Sequence, residues 1–176
     1  MTEHRGCEAL LIAGRSGVGK STVGWEVSAL LRDAGTAHCL IEGDTLDQVH
    51  PAPPGDPHRS AITERNLAAL WANYAALGHR RLIYTNTVSI LEGGMFERTM
   101  GVPTRLVRIL LTAGDATARA RLAVRETGSQ LDAHIRRGAL MARRLEEQAP
   151  PDTVRVPTDG RSVTDIAREV LAAAGW

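Results

Sequence analysis

Gly14-Arg15-Ser16-Gly17-Val18-Gly19-Lys20-Ser21-Thr22 fits the pattern G-x-x-x-x-G-K-[ST], and its flanks decide the fold. Upstream, Glu8–Ala13 (EALLIA) is a short apolar run of the kind that forms a buried strand. Downstream, Val23, Val27, Leu30 and Leu31 recur at helical spacing, and Gly35 follows as a stop signal. A strand, a glycine-rich turn and a helix in that order form an anion nest. The glycines let backbone N–H groups turn inward, and the helix directs its positive end at the same point. Lys20 is the only lysine in the chain, against 20 arginines. A compact ammonium fits between phosphate oxygens in a tight loop where a planar guanidinium is too bulky. The spacing predicts that Lys20 bridges two phosphates, that Ser21 offers its hydroxyl to Mg²⁺, and that all nine residues line the phosphate site.

Outward from this loop the pattern alternates. His38–Glu42, Arg81–Asn86, Thr104–Thr112 and Thr153–Val156 read as further strands. Lys20–Arg32, Ala61–Leu77, Ser89–Met100, Asp115–Glu126, Ser129–Gln148 and Ser162–Ala174 read as helices, the third with a weak start broken by Gly93-Gly94. Asp47–Pro57 holds four of the eight prolines and reads as a loop. Strand–helix alternation predicts an α/β fold of three layers, a parallel sheet of about five strands covered by helices on both faces. Ligands of such sheets bind at the carboxyl ends of the strands, where every polar feature named here falls.

Composition narrows the function. The 176 residues form one domain by length, 1–176, with 43% hydrophobic and 23% charged residues. A net charge of +1 gives no electrostatic footprint for nucleic acid. No apolar run approaches the ~20 residues of a membrane span, and no secretory leader is visible, so the expected compartment is the cytoplasm. Cys7 and Cys39 make no disulfide framework, and no His/Cys spacing suggests zinc.

The phosphate loop resembles that of the P-loop nucleoside triphosphatases. No N-K-x-D base-reading motif is present, and the third strand ends Tyr84-Thr85-Asn86-Thr87 without the usual Walker B aspartate. Ile41-Glu42-Gly43-Asp44-Thr45-Leu46 is similar to the Gly-Asp and Asp-Gly-Asp motifs of the gluconate and adenylylsulfate kinases. Arg121-Leu-Ala-Val-Arg125, followed by Gly128-Ser129-Gln130, resembles the lid of the gluconate and shikimate kinases. Thr158–Ser162 looks like the loop that lies near adenine in these enzymes. The resemblance implies strand order 2-3-1-4-5, ATP and Mg²⁺ as cofactors, a lid around 121–137, and Arg121 and Arg125 as catalytic groups beside Lys20. It further implies that Asp44 faces the acceptor, as base or as Mg²⁺ ligand through water. The substrate-reading positions match no one of these kinases. Asp47-Gln48-Val49 separates the Gly-Asp motif from His50-Pro51, and the Tyr84–Val88 stretch is unlike its gluconate-kinase counterpart.

The acceptor site is expected between Asp44, Arg59, Arg65, Asn86 and Thr87, for a small hydroxyl compound such as a polyol, sugar or hydroxylated natural product. Trp71 and Tyr74 read as core. The expected activity is ATP-dependent transfer of a phosphoryl group to that hydroxyl by a monomer or homodimer. Two alternatives stand beside it: a nucleotide kinase or plain NTPase, and a nucleotide-binding regulatory module without transfer activity.

Overall fold

In the computed structural model, residues 6–101, 103–125 and 131–176 are described. The chain runs β1 (Cys7–Ala13), α1 (Lys20–Asp33), β2 (Cys39–Glu42), α2 (Ser60–Ala76), β3 (Arg81–Thr85), α3 (Gly93–Met100), β4 (Thr104–Thr112), α4 (Asp115–Arg125), α5 (Leu131–Gln148), β5 (Val154–Pro157) and α6 (Val163–Ala174). The five strands form one parallel sheet in the order β2-β3-β1-β4-β5, as expected.

β1 is central because it is apolar on both faces. It pairs with β3 on one side, Ala9 opposite Leu82, and with β4 on the other, Ala9 opposite Leu106. Its side chains alternate between two cores. Ala9, Leu11 and Ala13 join Leu67, Trp71, Phe96 and Leu145 under α2, α3 and α5. Leu10 and Ile12 join Val23, Val27, Ile166 and Val170 under α1 and α6. Trp71 is thus core, as expected, and Tyr74 packs at its edge. Burying each large aliphatic chain fully contributes about 1.5–3 kcal/mol.

The stretch 89–100 departs from the expected continuous helix. A 3₁₀ turn, Ser89–Leu91, precedes α3, and Gly93 starts the helix instead of interrupting it. A Cβ on Gly93 would lie 2.7 Å from Arg108 Nη2 and 3.1 Å from Leu106, so the glycine lets the start of α3 approach β4. Gly128, Ser129 and Gln130, placed in the lid by sequence, lie outside the described residues.

The sheet end remote from the phosphate loop is tied by Glu8. Its carboxylate accepts from Arg81 Nε at 3.3 Å, Arg105 Nε at 2.8 Å and Trp176 Nε1 at 3.0 Å. Cys7 and Cys39 are buried and unbridged. They stand on strands separated by β3, which puts them about two strand spacings apart. No helix among the described residues is long and apolar enough to cross a membrane.

Candidate nucleotide and acceptor site

The phosphate loop turns where its sequence demands. Gly14, Gly17 and Gly19 take φ of 145°, 84° and 102°. At Gly17 a Cβ would lie 2.5 Å from the Ala118 carbonyl, so the loop can rest on α4 only with glycine there. α1 begins at Lys20 with no side-chain cap and no acidic residue in its first turn. Its orphan N–H groups and dipole therefore face the loop without an anion from the chain's own cap, which fits a bound phosphate. Lys20 Nζ donates to the Arg15 carbonyl at 3.4 Å, which draws the ammonium back across the loop. Val18 is buried, while Ser21 and Thr22 are exposed at the start of α1.

Arg15 does not face this nest. It is 5% exposed, pairs through Nη1 with Asp115 at the start of α4, and packs 3.7 Å from the Cβ position of Gly138 on α5. The guanidinium holds the Asp115 carboxyl below its ordinary pKa. Arg15 thus fastens the loop to α4 and α5. A cavity of about 470 Å³ opens beside it, between the end of β4 and α5.

Arg121 also spends its donors on protein. Nη1 donates to the Val18 carbonyl at 3.2 Å and to Thr158 Oγ1 at 2.9 Å, and Nη2 donates to the Thr158 carbonyl at 3.1 Å. The sequence expected this arginine at the phosphates. The structure places it between the phosphate loop and the β5–α6 loop. The Arg125 side chain lies outside the described residues. On the β5–α6 loop Asp159 accepts from Gly114 N at 3.1 Å, and a hydrogen bond from Thr117 holds its carboxyl below the usual range.

Across the sheet top, Asp44 and Asn86 meet. β2 ends at Glu42, and Gly43–Thr45 forms a 3₁₀ turn that lifts Asp44 over the end of β3. Asn86 Nδ2 donates to Asp44 Oδ1 at 2.8 Å. Asn86 is itself fixed: its N–H donates to Ile12 O at 3.2 Å and its Oδ1 accepts from Val88 N at 3.0 Å. Thr87 contributes its carbonyl, which accepts from Gly14 N at 3.3 Å. Asn86 and Thr87 thus link the end of β3 to the end of β1 and the first loop residue. A carboxylate stands beside the phosphate loop, supplied from β2 and steadied by an amide at the end of β3.

A cavity of about 360 Å³ adjoins Asn86, lined in part by Asp47, His58, Glu64, Glu92 and Arg98. Arg98 grips Glu64 through two hydrogen bonds, 2.9 and 2.8 Å. Burial raises the Glu92 carboxyl pKa, and the charge of Asp47 adds to the rise against a lowering by Arg144. The two expected substrate arginines are not on its lining. Arg59 caps α2 in a left-handed conformation, φ 58°, and its Nε donates to Val49 O at 3.1 Å. Arg65 is exposed on α2. Asp47 and Glu92 were not singled out by sequence, because lone acids in a loop and a turn carry no spacing signal.

No protein-family model matches the chain, and no curated protein matches it in sequence. Solved structures match its fold. The tunicamycin resistance protein of Deinococcus radiodurans superposes with a TM-score of 0.63 at 18% identity, over 96% of each chain. A gluconokinase from Sinorhizobium meliloti gives 0.58 at 20% identity, over 99% of this chain and 94% of that one. The Mycobacterium tuberculosis APS kinase, solved with AMPPNP and APS, gives 0.58 at 20% identity, over 98% and 99%. The fold is that of the P-loop kinases, with the strand order that the sequence resemblance implied.

Proposed function

From that fold, we propose that this chain is an ATP-dependent phosphotransferase acting on a hydroxyl of a small polyol, sugar or hydroxylated natural product. The observation that carries the reading is the Asp44–Asn86 pair, set between the phosphate loop and the 360 Å³ cavity. An APS kinase of the same fold was solved with AMPPNP and APS together, which supports a two-ligand site here.

Each residue then has a task. The backbone of Gly14–Thr22 and the start of α1 bind the phosphates of ATP. Lys20 offsets the negative charge that develops on them. The exposed Ser21 hydroxyl is the residue to hold Mg²⁺. Mg²⁺ bound there would keep waters and phosphate oxygens as its other ligands. When bound, Mg²⁺ supplies further charge neutralisation. Asp44 orients the acceptor hydroxyl and takes its proton as the new O–P bond forms. The bond from the γ-phosphorus to its bridging oxygen breaks, and ADP leaves. Arg125 remains a lid candidate, and Arg121 positions the loop. The implied setting is an ATP-rich compartment, the cytoplasm.

Asn86, standing where a Walker B aspartate would be, favours one second reading: nucleotide binding without turnover. One experiment separates the two. A metabolite panel is screened for ATP consumption, and any product is weighed by mass spectrometry. A product heavier by one phosphoryl group establishes transfer. Mg-ATP binding with no turnover on any acceptor favours the second reading.

A further inference from the structure

The acceptor cavity carries more negative charge than moving a hydroxyl proton requires. Asp47 and Glu92 both line it, and Asp44 stands at its edge through Asn86. On the lining, Arg98 is held by both oxygens of Glu64. Off the lining, Arg59 donates its Nε to the Val49 carbonyl, and Arg144, whose charge acts on Glu92 against its burial, donates its Nε to Gln148. His58 is the remaining basic side chain on the lining.

Beneath this wall lies a second irregularity. The Tyr84 side chain is fully buried, and its hydroxyl has no hydrogen-bond partner among the described residues. It presses against Gly43, where a Cβ would overlap the phenol oxygen, directly under the turn that carries Asp44. Burial and the charges of Glu92, Asp44 and Asp47 all keep this phenol protonated. The cavity wall is therefore acidic and backed by an unpaired buried dipole. A half-buried, unpaired carboxylate is costly unless a cation arrives to pair with it.

Three kinds of occupant differ in how they meet that charge. An anionic acceptor, such as a sugar acid or a nucleotide, would face Asp47 and Glu92 with the lining's arginine, Arg98, already paired to Glu64. A bare metal ion would need ligands that converge, and among the described residues no such cluster exists. An organic cation spreads its charge over several contacts and needs no converging set.

We infer that the acceptor is a hydroxylated molecule bearing a protonated amine, with Asp47 and Glu92 receiving the ammonium while Asp44 receives the hydroxyl. This rests on the phosphotransferase reading and narrows its substrate class to amino sugars, aminocyclitols and similar amino-polyols. The amine recognition sets which hydroxyl reaches Asp44, because two anchored points fix the ring.

The test is a ligand-observed NMR titration of the full chain, loaded with Mg-ADP, using probes matched in shape and different in charge. Glucosamine, glucose and glucuronate form one set; 2-deoxystreptamine and inositol form another. The amine of at least one set binds about tenfold or more tighter than its neutral partner, and glucuronate binds weakest. Glu92→Gln and Asp47→Asn each bring the amine back toward the neutral value, while the neutral probe itself serves as the control for folding. The inference is overturned if neither amine binds tighter than its neutral counterpart, whether all probes bind or none does. It is equally overturned if the preference survives both substitutions. A chain that shows no thermal shift with Mg-ATP, in contrast, overturns the phosphotransferase reading itself.

Discussion

Arg121 donates from one nitrogen to both the Val18 carbonyl, at 3.2 Å, and the Thr158 hydroxyl, at 2.9 Å. These two residues are 140 positions apart, and the guanidinium makes the phosphate loop and the β5–α6 loop one unit. The helix α4 is the bracket, since Gly17 rests on its Ala118 carbonyl and Arg15 grips its first residue.

Arg121→Ala therefore loosens the nucleotide side of the site. Thr158 is 1% exposed, so its carbonyl and hydroxyl lose a buried charged donor. Hydrogen bonds to a charged group contribute about 1.5–3 kcal/mol. For a chain of this length that lowers the melting temperature by roughly 4–10 °C. The KM for ATP rises more than kcat falls, because the loop's position is lost and no group touching the reacting atoms is removed. A fall in kcat alone, with ATP affinity unchanged, would return Arg121 to the phosphates.

Much of this was legible in the sequence, for a physical reason that also marks where legibility stops. The phosphate loop is local: nine consecutive residues with glycines at fixed offsets dictate their own turn. Asp44 and Asn86 were both named as candidates, yet their bond spans 42 positions and exists because β2 and β3 pair in register, Glu42 opposite Thr85. Helical spacing placed Arg121 and Arg125 on one face of a helix but could not say what that face meets. Asp47 and Glu92 belong to a turn and a loop, and only the fold brings them to one cavity.

Glu92 has a stability signature with a definite sign. Burial first, and then the charge of Asp47, raise its carboxyl pKa above the unfolded value of 4.5, against the lowering by Arg144. Between those values the folded chain binds more protons than the unfolded one, so stability falls as pH rises. The contribution is fully present below about pH 4.5 and lost as pH climbs through the folded-state value. Glu92→Gln removes that decline. Melting curves of variant and wild type nearly coincide at pH 4, and the variant melts higher at pH 7 to 8. A variant that melts lower at pH 8 would mean that the Arg144 charge outweighs the burial of Glu92.

Glu8 behaves in the opposite sense. Burial acts to raise its pKa, but the Trp176 hydrogen bond and the Arg105 and Arg81 charges together lower it below 4.5. Its stabilising contribution is present above the unfolded value and lost as pH falls through the folded one. Glu8→Gln thus costs stability at pH 7, and the difference from wild type shrinks in acid, below about pH 4. Equal losses at pH 7 and pH 3 would show that packing, not the carboxylate charge, holds Arg105 and Trp176.

The thiols report on the core. Burial pushes the Cys39 thiol up to about 12, and raises Cys7 as well. The thiolate is the reactive form, so neither cysteine is alkylated at pH 8 in the folded chain. Both react once the chain is unfolded in guanidinium. Rapid labelling of Cys39 in the folded protein would mean that the β2 edge of the sheet opens readily.

The last prediction tests separately the carboxylate proposed to take the proton and the amide bonded to it. Asp44 is exposed at the sheet top, and Asn86 is half-buried and bonded to the β1 carbonyl of Ile12, so the two tolerate substitution differently. Asp44→Asn keeps the size of the side chain and removes its capacity to accept a proton. Phosphoryl transfer falls by roughly 10²–10⁴, the usual contribution of a general base, while the Mg-ATP thermal shift persists because the phosphate loop is untouched. Asn86→Ala leaves the base in place without its 2.8 Å anchor. Transfer then falls by a smaller factor, about tenfold, because the carboxylate is present but no longer aimed. Lys20→Ala fails differently, losing most of the roughly 2.7 kcal/mol that saturating nucleotide adds to stability, and Lys20→Arg does not restore it. Steady-state kinetics and Mg-ATP thermal shifts on these four proteins, alongside wild type, separate the roles. Wild-type rates in Asp44→Asn would take Asp44 out of the chemistry and leave catalysis to the phosphate loop alone.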